Sequence, residues 1–320
     1  MNYKHIKING RYYFDGQHYQ IFNGGSGFSF KMKGKGFSIT LSSIPTNGYF
    51  YIIVDCNYLN KVKHQINEKP INFSFSGEGV HCVDIVKANE ANDNAIILID
   101  LVVDGEQLPY DFNYAKKVRV FGDSTIAGYG ILEHQGVGSI NNSDAVKDFC
   151  YHALYELGYD MDLFAASGWG LTFSIYTEPN NIGIVNFVDK VAVHKSIPWR
   201  NEDGADLLII SLGTNDNSFI QEGMINRQDG VKKFVNKYKA LIDSELFKNK
   251  DLKILMVYGT LKEEDAYYLN KETYRCLKPQ YPNLFIHKFH GDNSAVSNHA
   301  YVDVHDEMSE ELKEVIKEIL

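Results

Sequence analysis

The hydrophobic pattern of the chain changes character after residue 114. Before that point, apolar and polar positions alternate, as at Phe28, Phe30 and Met32, and glycine-containing turns interrupt the runs. A period of two is that of a strand with one buried face, and no helical period is evident there. Short strands with frequent turns are typical of a β-sandwich or jelly roll. Residues 1–114 are therefore predicted to form an all-β domain.

From residue 115 to residue 320, apolar runs of strand length alternate with amphipathic helical patterns. This alternation is typical of an α/β domain in which helices cover a parallel sheet. The predicted strands are residues 118–121, 161–165, 207–212, 254–258 and 284–286.

Helical periodicity covers residues 146–157 and 231–242. Gly158 follows the first of these helices, at the position where glycine commonly ends a helix. A final helix is predicted to start at Ser309 as its N-cap, with Glu310 and Glu311 in its first turn.

Composition narrows the classes of partner and location. The chain of 320 residues carries a net charge of −9, which disfavours nucleic acid and anionic membrane surfaces. No apolar run approaches the ~20 residues of a membrane span, and the first residues lack the apolar core of a signal peptide. A cytoplasmic location is therefore expected.

The four cysteines form no CxxC pair and are expected to be free thiols, with a Cys56–Cys82 bridge as the alternative.

Polar turns follow three of the predicted strands. They are Gly122-Asp123-Ser124, Ser167-Gly168-Trp169-Gly170 and Gly213-Thr214-Asn215-Asp216. Ligands bind beyond the carboxyl ends of the strands in open parallel sheets, so the three turns are predicted to meet at one rim.

Ester hydrolysis needs a nucleophile, a base beside it and hydrogen-bond donors for the developing oxyanion. Ser124 supplies a hydroxyl. The N–H groups of Ser124 and Gly168 and the side-chain amide of Asn215 are predicted oxyanion donors, and Gly170 is the alternative to Gly168. Asp123 and Asp216 are interpreted as residues that order their turns.

The predicted base is His305, because it precedes the last predicted helix and Asp303 lies two residues before it. Asp303 is predicted to orient the imidazole. His299 and His290 are the alternative bases, and Asp306 or a backbone carbonyl is the alternative orienting group. A metal site among these residues is disfavoured because their spacing is irregular.

Trp169 has two interpretations. It is either a residue of the core or a platform on which a sugar ring stacks, since aromatic faces suit the C–H surfaces of pyranoses. The second interpretation makes it a substrate-binding residue.

These motifs resemble those of the SGNH or GDSL-type hydrolases over roughly residues 116–320. The four signature residues of that superfamily correspond to Ser124, Gly168, Asn215 and His305. The run from Gly122 to Gly130, together with Pro198-Trp199, is similar to carbohydrate esterase family two. That resemblance implies a flavodoxin-like sheet after an N-terminal jelly roll. It also implies removal of acetyl groups from xylan or mannan without a metal or organic cofactor.

The sequence thus predicts a serine esterase with an acetylated carbohydrate as its partner. Ser124 would attack the acetyl carbonyl, His305 would accept the proton, and Asp303 would hold the imidazole tautomer. The alternatives are a sugar O-acetyltransferase with the same site and a carbohydrate-binding protein with an inactive hydrolase domain.

Overall fold

The computed structural model describes residues 5–45, 48–174, 182–199, 203–261 and 267–320. Within them, the N-terminal domain is an antiparallel sheet in the order β2-β3-β8-β4-β7-β5-β6, with β1 paired to β4. The bounds are β1 (Ile6–Asn9), β2 (Tyr12–Phe14), β3 (Tyr19–Ile21), β4 (Gly27–Ile44), β5 (Tyr49–Val54), β6 (Val62–Gln65), β7 (Ile71–Lys87) and β8 (Ala95–Leu108). Phe28, Phe30 and Met32 are fully buried on one face of β4, so the prediction of an all-β domain is confirmed.

The C-terminal domain contains a parallel sheet in the order β10-β9-β11-β12-β13. Its strands are β9 (Lys117–Gly122), β10 (Asp160–Ala165), β11 (Leu207–Ser211), β12 (Lys253–Tyr258) and β13 (Leu284–Lys288). This is the flavodoxin-like order, in which the first strand lies between the second and the third. The five predicted strands are confirmed to within two residues at either end. The carboxyl end of β9 is the point where the strand order reverses, and Ser124 follows it.

Helices cover both faces of this sheet. They are α1 (Phe149–Glu156), α2 (Thr214–Gln221), α3 (Arg227–Lys248), α4 (Tyr267–Leu277) and α5 (Val302–Ile319). Helices α1 and α5 pack with Val120 and Ile209 on one face, and α2, α3 and α4 pack with Phe121 and Ile210 on the other. Neighbouring residues of a strand therefore serve opposite cores, which explains why the strands read as continuous apolar runs.

The predicted start of the last helix is wrong. Helix α5 begins at Val302, after Tyr301, and Ser309 lies fully buried inside it. The serine and the two glutamates after it resemble a helix start, but the apolar stripe continues backwards through Met308 to His305 at helical spacing.

Polar contacts join the two domains. The buried Arg11 of the N-terminal domain donates to Asp162 of β10 at 3.0 Å and to the carbonyl oxygens of Val188 and Lys190. The Tyr51 hydroxyl donates to Asp144 at 2.7 Å. Burying a charge is costly unless it is paired and fully hydrogen-bonded, so these contacts fix the relative position of the domains.

All four cysteines are free. Among the described helices, none combines the length and apolar character needed to cross a bilayer.

Candidate active site

Ser124 lies in the turn that follows β9, at the reversal point of the sheet. The Asp123 carboxylate accepts the Thr125 N–H at 3.1 Å, and the Asp123 carbonyl accepts the Ala127 N–H at 3.0 Å. Asp123 thus orders the turn, as predicted, and leaves the Ser124 side chain partly exposed while Asp123 itself is buried. Burial raises the pKa of Asp123 to about 6.

The side chain in contact with Ser124 is His299. Its Nε2 lies 2.7 Å from Ser124 Oγ. His299 belongs to the loop between β13 and α5, and only 7% of it is exposed. His299 was one of the two predicted alternatives to His305, and the structure places it beside Ser124.

Main-chain carbonyls hold the His299 ring. Its Nδ1 lies 3.1 Å from the carbonyl oxygen of Val296 and 3.1 Å from that of Ser297. A carbonyl can only accept, so Nδ1 carries the hydrogen and Nε2 keeps a free lone pair toward the Ser124 hydroxyl. Burial lowers the pKa of His299, which favours the neutral ring whose Nε2 can accept a hydrogen bond from the Ser124 hydroxyl.

The loop makes this arrangement by an unusual backbone conformation. Ser297 has φ +53° and Asn298 has φ +62°, both in the left-handed region. Such a conformation costs about 1–2 kcal/mol for each residue and persists only where the surroundings hold it. Here the His299 N–H donates to Val296 O at 3.1 Å and the Ala295 N–H donates to His299 O at 2.8 Å. The tight turn directs two successive carbonyls at one imidazole nitrogen.

His305 does not reach Ser124, so its predicted role as the base is wrong. It is fully buried in the first turns of α5, and its Nδ1 accepts the Phe149 N–H of α1 at 3.1 Å. Burial lowers its pKa to about 3. His305 is therefore a neutral residue that joins α5 to the start of α1.

Asp303 cannot orient either histidine as predicted. Residues 303–305 were predicted to be a loop, but they are helical, and side chains two apart on a helix diverge by about 200°. Asp303 is exposed and accepts the Val304 N–H at 2.8 Å. Asp306, the alternative, lies 3.2 Å from His152 Nδ1. The groups that orient His299 are carbonyls, which was the remaining alternative.

The three predicted donors, Ser124, Gly168 and Asn215, follow the carboxyl ends of β9, β10 and β11. Among the described residues, neither the Ser124 N–H nor the Gly168 N–H has a protein acceptor. The Asn215 side-chain amide donates to the Trp169 carbonyl at 3.3 Å, which holds it against the loop that contains Gly168. One of its two hydrogens remains available.

The choice between the two glycines favours Gly168. The Gly170 N–H already donates to Phe173 O at 2.8 Å. Gly168 has φ +78°, a conformation that suits glycine, and its N–H is not engaged.

Asp216 binds the main chain just after Gly170. It is fully buried, and its carboxylate accepts the N–H groups of Leu171 at 2.7 Å, Thr172 at 2.8 Å and Phe173 at 3.1 Å. A Cβ on Gly170 would lie 2.4 Å from an Asp216 oxygen, so the close approach requires glycine. Burial raises the pKa of Asp216 to about 7. Asp216 is thus a turn-ordering residue, as expected.

The substrate-binding interpretation of Trp169 is wrong. Its side chain is fully buried and packs edge-on against Phe187 at 5.4 Å and against His194 at 4.3 Å between ring centroids. A ring without an exposed face cannot stack on a sugar. Trp169 therefore belongs to the core, which was the other interpretation.

No group of three histidine, cysteine or carboxylate side chains within the described ranges is arranged to hold a metal ion. The chemistry that these residues support is nucleophilic. A serine hydroxyl, a neutral imidazole and donors for an oxyanion together can open an ester and carry its acyl group.

Two family models match the chain. Residues 8–110 match the N-terminal domain of carbohydrate esterase 2, and residues 118–314 match the GDSL-like lipase/acylhydrolase model. Among curated proteins, none matches the sequence significantly.

Solved structures of similar fold span almost the whole chain. A family two carbohydrate esterase from Cellvibrio japonicus is 21% identical with a TM-score of 0.84, and the match covers 99% of this chain and 95% of that one. A family two carbohydrate esterase from Clostridium thermocellum in complex with cellohexaose is 21% identical, with 98% of each chain covered and a TM-score of 0.84. An acetyl xylan esterase from Butyrivibrio proteoclasticus is 17% identical, with coverages of 99% and 96% and a TM-score of 0.84.

Proposed function

Because the chain belongs to the GDSL-like lipase/acylhydrolase family and is therefore a carboxylic ester hydrolase, we propose that it removes acetyl groups from carbohydrate through a covalent acetyl-serine. The observation that carries this proposal is the 2.7 Å contact between His299 Nε2 and Ser124 Oγ. That contact supplies an activated hydroxyl at the rim where the oxyanion donors also lie.

In the first half of the reaction, Ser124 Oγ attacks the acetyl carbonyl while His299 Nε2 accepts its proton. The charge that develops on the carbonyl oxygen is stabilised by the N–H groups of Ser124 and Gly168 and by the Asn215 amide. The carbonyls of Val296 and Ser297 accept from Nδ1–H and stabilise the imidazolium that forms. His299 then returns the proton to the sugar oxygen as the alcohol leaves.

In the second half, water attacks the acetyl-serine. His299 removes a proton from that water, and the same donors stabilise the second tetrahedral intermediate. Collapse of this intermediate releases acetate and restores the Ser124 hydroxyl. In each half of the reaction, His299 accepts one proton and then returns it, in the second half to Ser124 Oγ. The imidazole is therefore neutral again at the end.

The proposed substrates are O-acetylated oligosaccharides or polysaccharides of the xylan and mannan type. The N-terminal domain supports a carbohydrate substrate, since residues 8–110 match the N-terminal domain of carbohydrate esterase 2. The names of the similar structures support the same class, because they include an acetyl xylan esterase and an esterase bound to cellohexaose.

The test is release of acetate from acetylated xylan, acetylated glucomannan and acetylated monosaccharides. Ser124→Ala is the matched control, because it removes one oxygen at a partly exposed position. Its kcat should fall by at least ~10⁴-fold. Equal release by wild type and Ser124→Ala would refute the serine mechanism.

A sugar acceptor in the same assay separates hydrolysis from transfer. Acetate as the main product with acceptor present supports the esterase. Acetylated acceptor as the main product would assign an acetyltransferase. Sugar binding by a wild type that hydrolyses neither the polysaccharides nor 4-nitrophenyl acetate would assign a binding protein.

A further inference from the structure

Glu90 connects the N-terminal domain to residues 166–173, the loop after β10 that is called the oxyanion loop below. It lies in the turn between β7 and β8, and only 5% of it is exposed. Its carboxyl oxygen Oε2 accepts the Ser167 N–H at 2.8 Å, although 77 positions separate the two residues. Ser167 immediately precedes Gly168, whose N–H is one of the oxyanion donors.

The turn that carries Glu90 is fixed at several points. The buried Lys87 Nζ donates to the carbonyl of Asn89 and, at 2.9 Å, to that of Glu90. The Asn89 carboxamide accepts the Tyr49 N–H at 2.7 Å and donates to Ile140 O at 2.8 Å. The turn is therefore held by both domains, and its main chain at Glu90 cannot shift without breaking these bonds.

The oxyanion loop is thus held from two sides. Asp216 accepts three N–H groups after Gly170, and Glu90 accepts the N–H just before Gly168. An oxyanion donor acts only if its N–H already points to the position of the developing charge. A rotation of the peptide that joins Ser167 to Gly168 would turn that N–H away.

We propose that Glu90 is a positioning residue, supplied by the N-terminal domain, that fixes the direction of the Gly168 N–H in the oxyanion site. This inference rests on the proposed esterase function. It assigns a part in the reaction to a domain that holds neither Ser124 nor His299.

The conservative variant follows from the chemistry of the site. Burial raises the pKa of Glu90 to about 7, so the protonated acid is well populated at neutral pH. A protonated acid accepts through its carbonyl oxygen, and a glutamine side chain does the same. Glu90→Gln should therefore preserve the bond to Ser167.

Asp84 provides a matched control. It is a buried carboxylate on β7, and it accepts hydrogen bonds from Ser29 and, across the domain boundary, from Tyr155 of α1. It resembles Glu90 in burial and in joining the domains, but it does not touch the oxyanion loop.

The experiment measures kcat and KM for 4-nitrophenyl acetate in four variants. Glu90→Ala should lower kcat by about 10- to 100-fold, less than the loss of a donor itself, with KM changed by less than about twofold. Glu90→Asp should also lose kcat, because its carboxyl falls short by one methylene. Glu90→Gln and Asp84→Ala should stay within about threefold of wild type.

Amide hydrogen exchange over residues 166–173 gives a readout that does not need turnover. Exchange there should be faster in Glu90→Ala than in wild type and unchanged in Asp84→Ala. Wild-type kcat and exchange in Glu90→Ala and Glu90→Asp would overturn the proposal, as would an equal loss of kcat in Asp84→Ala. A wild type without ester hydrolysis would refute the proposed function, and the exchange data would still decide on Glu90.

Discussion

His299 Nε2 and Ser124 Oγ lie 2.7 Å apart, although 175 positions separate them in the chain. The serine follows the first strand of the parallel sheet, and the histidine lies in the loop after the last strand. Their contact therefore joins the first strand of the C-terminal domain to the loop after its last strand. It also distinguishes His299, which contacts Ser124, from His305, which contacts Phe149.

This separation predicts opposite outcomes for the two histidines. His299→Ala should lower kcat by ~10⁴-fold or more, since the serine loses its base. His305→Gln should keep kcat within a few-fold and lower Tm by several degrees, because it disturbs a fully buried contact with Phe149. Steady-state kinetics and thermal unfolding of both variants provide the measurement. A folded but inactive His305→Gln, beside an active His299→Ala, would restore His305 as the base.

Asp303→Asn should have little effect. The side chain is exposed and bonds to its own helix, so kcat is expected within about twofold of wild type. In an enzyme whose aspartate fixes the histidine tautomer, the same change costs ~10⁴. Asp306→Asn is the companion variant, because Asp306 pairs with His152. A hundredfold loss of kcat in either variant would contradict orientation by carbonyls.

The sequence was sufficient for the parallel sheet, since its strands are buried on both faces and read as continuous apolar runs. It also predicted that Ser124, Gly168 and Asn215 follow strand ends, and the structure places them there. The contact of His299 with Ser124 was not predicted, for a local reason. Ser309 imitates a helix start, which displaced the start of α5 and put His305 in a loop. His305 continues the stripe of Met308, Leu312 and Ile316, so the helical period extended backwards would have included it.

Two other features of the site could not be predicted from residue types alone. The orienting carbonyls of residues 296 and 297 belong to the backbone, and no residue type marks them. Trp169 was ambiguous because Phe187 and His194, which pack against it, lie outside its motif and meet it only in the folded chain.

Asn215→Ala should reduce kcat by ~10²–10³-fold with KM nearly unchanged. The amide donates to Trp169 O, and its second hydrogen matters mainly when the substrate oxygen becomes charged. Kinetics with 4-nitrophenyl acetate and an acetylated sugar measure the effect. A rise in KM with unchanged kcat would instead make Asn215 a ground-state binding residue.

The pH dependence of kcat/KM should reflect His299. The neutral ring accepts the serine proton, so activity falls as the pH drops through the His299 pKa. Burial lowers that pKa, which places the acid limb below the ordinary value of about 6.5. Rates between pH 4 and pH 8 measure it, and a midpoint above 7 would contradict the assignment.

Stability is the control for that profile. His305 has a pKa of about 3 in the folded protein, whereas an unfolded histidine titrates near 6.5. The unfolded state therefore binds more protons between these values, and stability decreases as the pH falls through that window. Circular dichroism recorded at each pH of the rate profile separates titration of His299 from unfolding.

The left-handed turn at Ser297 and Asn298 has a consequence for variation in this protein. Both side chains are exposed, and the orienting atoms are main-chain oxygens that every amino acid possesses. No single side-chain deletion there can remove the orienting group, but a β-branched residue at 297 would oppose the backbone conformation that aims it. Selection at this loop should therefore act on permitted torsion angles rather than on an acidic residue. The presence or absence of an aspartate near His299 would therefore not indicate which variants of this chain remain active.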